Sequence, residues 1–105
     1  MKATSTSDIW DDTAVLLYLT SKCYDPSATP SEKSRIRKRA SRHRLLHGRL
    51  FRCGYGLREV PVFQARCLLA KHAHRTLGHG GQRAVLKLLR RNYFWKGMAK
   101  DVQRA

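Results

Sequence analysis

The run from His72 to Gln103, HAHRTLGHGGQRAVLKLLRRNYFWKGMAKDVQ, is the stretch that decides the fold. It joins two histidines to a basic amphipathic segment and an aromatic cluster. A histidine near the end of one helix and another in the following loop can both reach one ion, and His72 and His79 have that spacing. Glycines flank the second histidine and let the backbone bend close. The pair predicts one side of a zinc site, with surface or capping histidines as the alternative.

A third histidine, His74, competes with His72 for the role of first ligand. It lies closer along the chain to the loop histidine, and helical periodicity turns it away from an apolar face formed by Leu68 and Leu69. We therefore predict that Leu68, Leu69 and His72 share the inward face of a helix over residues 64–74.

Hydrophobic periodicity predicts a mainly α chain with one small antiparallel β-hairpin (α+β). In the first helix, over residues 8–20, the predicted inward positions are Ile9, Thr13, Leu16 and Leu17. In the second, Thr29 is expected as the cap, Pro30 as the first residue and Glu32 as the capping-box partner. That helix continues to about Arg44, and only Ile36 and Ala40 mark an apolar stripe on it.

The hairpin is predicted from two short strand-like runs, Leu50–Cys53 and Glu59–Val62, around Gly54-Tyr55-Gly56. His47-Gly48-Arg49 is expected to form a tight turn before them, and Pro61 suits an edge position because it cannot donate to a ladder. Further helices are predicted over residues 82–91, with Val85, Leu88 and Leu89 inward, and from Met98 onward. The expected organisation is an N-terminal helix and linker over 1–30, a basic helix and β-hairpin extension over 31–63, and an incomplete zinc-binding helical domain over 64–105.

The charge balance points to a polyanionic partner. The 105 residues hold 22 lysines and arginines against 7 acids, for a formal net charge of +15. The first 30 residues hold two lysines and four aspartates, so the excess lies in the rest of the chain. Nucleic acid is the common partner of such a surface, and general solubility is the alternative. The residues expected to contact phosphates are Arg35, Arg37, Lys38, Arg39, Arg42, Arg83, Lys87, Arg90 and Arg91.

The cysteine content and the hydropathy of the chain indicate its cellular compartment. Cys23, Cys53 and Cys67 are odd in number, and no Cys-x-x-Cys occurs. No apolar secretory segment opens the chain, and no apolar run approaches the roughly 18 residues of a membrane span. We expect a reduced, intracellular protein with no membrane partner, and cysteines that are buried small hydrophobes rather than ligands. The basic run from Arg35 to Arg44 also suits a nuclear-import signal, which predicts a nuclear location.

The segment from His72 to Gln103 resembles the HHCC zinc-binding domain at the N terminus of retrotransposon and retroviral integrases. The likeness is strongest to gypsy-type elements and to domesticated integrase-like proteins. The positions that match the family pattern are Gly78, His79, Gly81, Tyr93, Trp95, Gly97, Met98, Asp101 and Val102. The basic helix and the following Leu46-x-Gly48-x-Leu50-Phe51 look like the extension that precedes this domain in such elements.

The resemblance implies a zinc ion held by His72, His79 and two cysteines of a Cys-x-x-Cys. In the family those cysteines would fall beyond Ala105, so the expected zinc site is incomplete, with two ligands missing. The chain is then either a fragment or a truncated derivative. The aromatic run Tyr93-Phe94-Trp95 is expected to pack the helices together, with base stacking as the alternative.

Catalysis by this chain alone is not expected. The family's joining reaction needs a separate core with three carboxylates, and downstream of Asp25 the acids are only Glu32, Glu59 and Asp101. No small-molecule substrate is indicated. The favoured function is a nucleic-acid-binding and multimerisation module of an integrase, with DNA or RNA, a second copy of the chain or other integrase subunits as partners. The alternatives are a domesticated protein-interaction or regulatory protein and an enzyme fragment that is inactive alone.

Overall fold

The computed structural model describes residues 8–54, 56–77 and 81–105. The predicted ligand His79 and its neighbours Gly78 and Gly80 lie outside these residues, as does Tyr55 of the predicted hairpin. The elements are a short 3-10 helix Ile9–Asp11, α1 Thr13–Ser21, α2 Pro30–Ala40, β1 His43–Leu46, β2 Arg49–Arg52, β3 Arg58–Val60, α3 Phe63–Leu77, α4 Gly81–Arg90 and α5 Met98–Arg104. The prediction of a mainly α fold with a small antiparallel sheet is confirmed.

The N-terminal helix is interrupted at Asp12. The carboxylate of Asp8 accepts from the backbone N–H of Trp10 at 3.0 Å and caps the 3-10 helix. Asp12 in turn accepts from the N–H of Val15 and caps α1. The break changes the helical phase, so Val15 is fully buried while Leu17 is 42% exposed. The predicted inward face was therefore wrong at Leu17, and also at Thr13, which is exposed.

The start of α2 is determined by local interactions, as predicted. The Thr29 side chain accepts from the N–H of Glu32 at 3.1 Å, and the Glu32 carboxylate accepts from the N–H of Thr29 at 2.8 Å. Ile36 and Ala40 are buried, which confirms the narrow apolar stripe. The helix ends at Ala40 rather than at Arg44, because the chain turns there into a strand that the sequence did not predict.

That strand, β1, adds a third member to the sheet, whose order is β1-β2-β3 with antiparallel pairing throughout. β1 and β2 are joined by His47 and Gly48, whose φ angles are 52° and 77°. Two central residues with positive φ match the type I′ turn, whose twist suits a two-residue hairpin. In the register of the sheet, Leu45, Leu50 and Val60 form one cross-strand row on the core face.

Backbone and side-chain hydrogen bonds join the sheet to the segments on either side of it. The indole Nε1 of Trp10 donates to the carbonyl of Val60 at 2.8 Å. On the free edge of β3, the N–H of Glu59 donates to the carbonyl of Asn92, and the N–H of Phe94 donates to the carbonyl of Glu59. The chain after α4 therefore runs beside β3. Pro61 lies just beyond β3 and is buried.

The helices α3, α4 and α5 pack on one another in the last part of the chain. Val85 and Leu89 are buried and Leu88 is half-buried, which confirms the predicted inward face of α4. Gly97 precedes α5 with a φ of 85°, a conformation that is costly for other residues. The hydrogen bond of Trp10 to Val60 crosses the boundary at residue 30, and that of Arg66 to Pro61 crosses the boundary at residue 63. The three-part division stays a prediction. None of the helices described is long and apolar enough to cross a membrane.

Candidate metal centre and nucleic-acid interface

The inward face of α3 differs from the predicted one. Ala70 and Ala73 are buried, whereas Leu68 is 69% exposed and His72 is exposed. The face is rotated because Arg66 is drawn into the core by a distant carboxylate, an interaction that helical periodicity cannot reveal. His72 therefore presents its imidazole on the solvent side of the helix rather than beside a core leucine.

His74 is the histidine of α3 that contacts another helix. It is half-buried, and its Nε2 lies 2.8 Å from the carbonyl oxygen of Val102 in α5. A carbonyl accepts, so Nε2 carries the proton and Nδ1 is left with a lone pair. This hydrogen bond fixes the orientation of the ring and joins α3 to α5.

The described residues do not assemble a complete metal site. No group of three or more histidine, cysteine, aspartate or glutamate side chains that could hold an ion occurs among them. His72 is solvent-accessible and His79 is not described, so their pairing as ligands stays a prediction. An imidazole pair suits zinc chemically, and two such ligands leave the coordination shell open to further donors.

The predicted cysteine burial was wrong. Cys23 and Cys67 are exposed, Cys53 is half-buried, and all three thiols are free. Cys67 lies on the solvent side of α3 because its neighbour Arg66 occupies the buried position.

The aromatic run after α4 serves packing, as predicted. Trp95 is 2% exposed, and its indole Nε1 donates to the Asp101 carboxylate at 2.7 Å. Met98 and Val102 of α5 are buried against the same core. The indole thus holds the start of α5 through its hydrogen bond to Asp101.

The cations of α2 divide into two groups. Arg35 and Arg39 donate to Asp12 at 3.2 and 2.8 Å, and Asp12 is buried. These two arginines hold α2 against the start of α1. Arg37, Lys38 and Arg42 are exposed, with Arg37 also donating to the phenol oxygen of Tyr24 at 3.1 Å. The exposed cationic surface at α2 is therefore narrower than the sequence predicts.

On α4 the predicted cations all face outward. Arg83, Lys87 and Arg90 of the helix, together with Arg91 just after it, are exposed. No acidic residue lies in α4, so these charges have no local compensation within that helix. They form a cationic surface opposite to Val85 and Leu89.

The sequence did not predict two further cations. Arg52 and Arg58 are half-buried, and their guanidinium carbons lie 4.8 and 5.1 Å from the ring centroid of Phe94. Strand alternation could have indicated them, because Arg52 shares its sheet face with the buried Leu50 two residues earlier. The missing information was the cross-strand register, which pairs Arg52 with Arg58.

Sequence comparison supports the likeness seen in the motifs. A 47-residue stretch covering 45% of this chain is 43% identical to the protein named "Pro-Pol polyprotein" of Feline foamy virus. The chain spans about 4% of the length of that relative. Residues 63–105, from the start of α3 through α5, match the family described as "Integrase zinc binding domain". This match implies zinc binding, and the segment formed by α3, α4 and α5 is similar to the integrase zinc-binding domains.

Proposed function

We propose that this chain is a nucleic-acid-binding and multimerisation module of a retroviral or retrotransposon-type integrase, without catalytic activity of its own. The observation that carries the proposal is an exposed cationic surface on two helices. It consists of Arg37 and Lys38 of α2 with the nearby Arg42, and of the outward cations of α4. Such surfaces bind phosphates, and phosphate contacts position a protein on nucleic acid without reading bases.

The two arginines of α2 that form ion pairs with Asp12 are not counted in this surface. Arg35 and Arg39 are engaged with Asp12, so they are less available to a phosphate than their exposed neighbours. The multimerisation half of the proposal draws support from α3, where Phe63 is 75% and Leu68 69% exposed. Large apolar side chains in solvent are suited to burial against another chain. Action on DNA in the nucleus accords with the basic run of α2.

The first prediction concerns salt. Affinity for a mixed-sequence duplex should fall by about a thousandfold between 50 and 200 mM salt, as expected for roughly six phosphate contacts. The triple variant Arg37→Gln, Lys38→Gln, Arg42→Gln should reduce the slope of log affinity against log salt by about three. Fluorescence anisotropy of a labelled duplex measures both.

A charge-matched control removes three exposed cations from elsewhere, namely Lys71, Arg75 and Lys100. Each triple variant loses the same net charge, so a general electrostatic attraction would weaken both equally. Equal slopes in the two variants would contradict the assignment to α2. Replacing the duplex with single-stranded RNA of equal length determines which nucleic acid is preferred.

We infer that His72 and His79 supply the imidazole ligands of the zinc ion. Zinc bound there would be structural, holding the end of α3 to the start of α4 through one ion. His72→Ala and His79→Ala should each weaken Co²⁺ or Zn²⁺ binding at least tenfold, as judged by the cobalt absorption spectrum and by competition with a chelator.

His47→Asn is the matched control, because this exposed histidine lies in the β1–β2 turn and asparagine accepts its positive φ. Unchanged metal affinity in His72→Ala, with loss in His74→Ala, would show that the half-buried histidine is the first ligand. In that case the metal would take Nδ1 of His74, whose Nε2 is engaged with Val102.

A further inference from the structure

One histidine and two arginines form one row across the sheet. His43 pairs with Arg52, and Arg52 pairs with Arg58, in the antiparallel registers of β1–β2 and β2–β3. Residues directly opposite each other on neighbouring strands project to the same face. This row lies two residues from Leu45, Leu50 and Val60, so it continues the core face of the sheet at its outer end.

Phe94 lies against this row. Backbone hydrogen bonds on both sides of Glu59 hold residues 92–94 beside β3, which brings the ring next to both arginines. The guanidinium carbons of Arg52 and Arg58 lie 4.8 and 5.1 Å from the ring centroid. Each contact falls within the distance of a cation–π interaction. One aromatic ring thus holds two like charges in a small space.

No carboxylate in the described part of the chain balances them. The ion pairs there join Asp8 to Arg66, Asp12 to Arg35 and Arg39, and Glu59 to Arg49. Although Glu59 adjoins Arg58 in β3, strand alternation sends it to the opposite face, where it binds Arg49 at 2.6 Å. Arg52 and Arg58 are left without an acidic partner.

The side chain of Arg58 shows this lack of a partner most directly. Its Nε is buried and has no hydrogen-bond partner, and no other buried side-chain nitrogen or oxygen among the described residues is in this state. Burying a donor without a partner costs free energy, and each such group in a folded protein calls for an explanation. By contrast, the carboxylates of Asp8 and Glu59 each bind two nitrogens of one arginine elsewhere in the same molecule.

The repulsion among these positive charges affects the pKa of Arg52. Burial lowers the pKa of Arg52, and the charges of Arg42, Arg58 and Arg39 lower it further. Arg42 reaches this place because its carbonyl accepts from the N–H of Cys53, immediately after β2. A bound anion would relieve this repulsion and give the buried donor a partner.

We propose that Arg52 and Arg58, on the Phe94 ring and with Arg42 at the rim, form a binding site for one phosphate group of a nucleic-acid backbone. The guanidinium fork matches the oxygens of a phosphate, and two forks side by side can hold one such group. The choice of nucleic acid rests on the proposed function, since Arg42 also belongs to the exposed cationic surface of α2. Because the site is partly buried, a phosphate bound there would fix how the nucleic-acid backbone lies against the protein.

The site is tested first with inorganic phosphate. At constant ionic strength set with chloride, phosphate should raise the thermal unfolding midpoint of the wild-type chain by several degrees. The double variant Arg52→Gln, Arg58→Gln should lose this rise. Arg44→Gln, which removes an exposed charge from the other face of β1, should keep it. An equal rise in all three proteins would overturn the proposal.

A second measurement avoids any folding defect in the variants. The Nε–Hε resonance of Arg58 in the wild-type chain should shift on titration with inorganic phosphate and with a short oligonucleotide. A resonance that stays in place with both would overturn the proposal. So would a larger shift with a glutamate-rich peptide of equal charge, because the site would then suit a protein partner.

Measurements of duplex binding distinguish a failure of the proposed phosphate site from a failure of the proposed function. The double variant should lower the salt slope of duplex affinity by about one, because the site neutralises one phosphate, whereas Arg44→Gln should leave the slope unchanged. An unchanged slope in the double variant, with the α2 triple variant still impaired, would overturn the site and leave the function intact. If the chain bound no nucleic acid at all, the function would fall, and the Arg58 resonance would still decide whether an anion site exists.

Discussion

At the scale of single residues, His43 makes the stability of the sheet depend on pH. Its Nδ1 donates to the carbonyl of Arg39 at 2.9 Å, and the side chain lies in the first strand. Burial lowers the pKa of His43 from its ordinary value of 6.5. The hydrogen bond to Arg39 favours the charged form and raises the pKa, but burial and the charges of Arg52, Arg39 and Arg42 together outweigh it. Folding therefore keeps this imidazole neutral.

A group whose pKa is lower in the folded state contributes stability above its unfolded pKa and loses it as pH falls. We predict that the free energy of unfolding declines from about pH 7 toward pH 5, and that His43→Gln makes this decline shallower. Urea unfolding at several pH values measures it. The control is His47→Asn, because asparagine accepts the positive φ of that turn. Parallel pH curves for wild type and His43→Gln would rule the assignment out.

At the scale of elements, the parts predicted well are those specified by local interactions. The start of α2 follows from Thr29, Pro30 and Glu32 within four residues, and the structure contains that capping box. The inward face of α4 follows from an apolar stripe that no long-range ion pair perturbs. Local sequence suffices there because the helix and its packing favour the same face.

The parts predicted poorly depend on partners far along the chain. The face of α3 is rotated by Arg66, whose carboxylate partner is 58 residues away. β1 went unrecognised because His43 and Arg44 continue a basic run, and the burial of His43 depends on tertiary contacts. The residues of the candidate sites show the same contrast between what local sequence predicts and what depends on distant partners. The family motif identifies His72 and His79 as candidate ligands. By contrast, the strand register that pairs Arg52 with Arg58 cannot be inferred from the sequence around either residue.

At the scale of the whole molecule, one largely buried ion pair joins the N-terminal turn to α3. The guanidinium of Arg66 is 3% exposed and donates to both carboxylate oxygens of Asp8, with Nη2 at 3.0 Å. Its Nε also donates to the carbonyl of Pro61 at 3.1 Å. The capped N-terminal turn is thereby fixed to α3 of the integrase-type segment. The molecule measures 52 × 29 × 23 Å, so this connection holds together an elongated body.

Breaking that pair should weaken the whole fold. Asp8→Asn leaves a buried arginine without its counter-charge and should cost about 3 kcal/mol of unfolding free energy. Arg66→Met with Asp8→Asn removes both charges and should cost less than the sum of the two single changes. Urea unfolding of the four proteins gives the coupling energy. Asp11→Asn is the charge control at an exposed neighbouring position.

The same pair makes an acid-dependent contribution of defined sign. Burial of Asp8 opposes ionisation, but the hydrogen bonds from Arg66 and from the N–H of Trp10 outweigh it and lower the pKa of Asp8 below its ordinary value of 3.8. A depressed carboxyl pKa stabilises the fold above the unfolded value and loses that effect as pH falls through the folded one. Wild type should therefore lose more stability than Asp8→Asn between about pH 5 and pH 2. If both proteins lost stability equally over that range, the ion pair would not be what fixes the N-terminal turn, and the hydrogen bond of Trp10 to Val60 would remain as a contact that does.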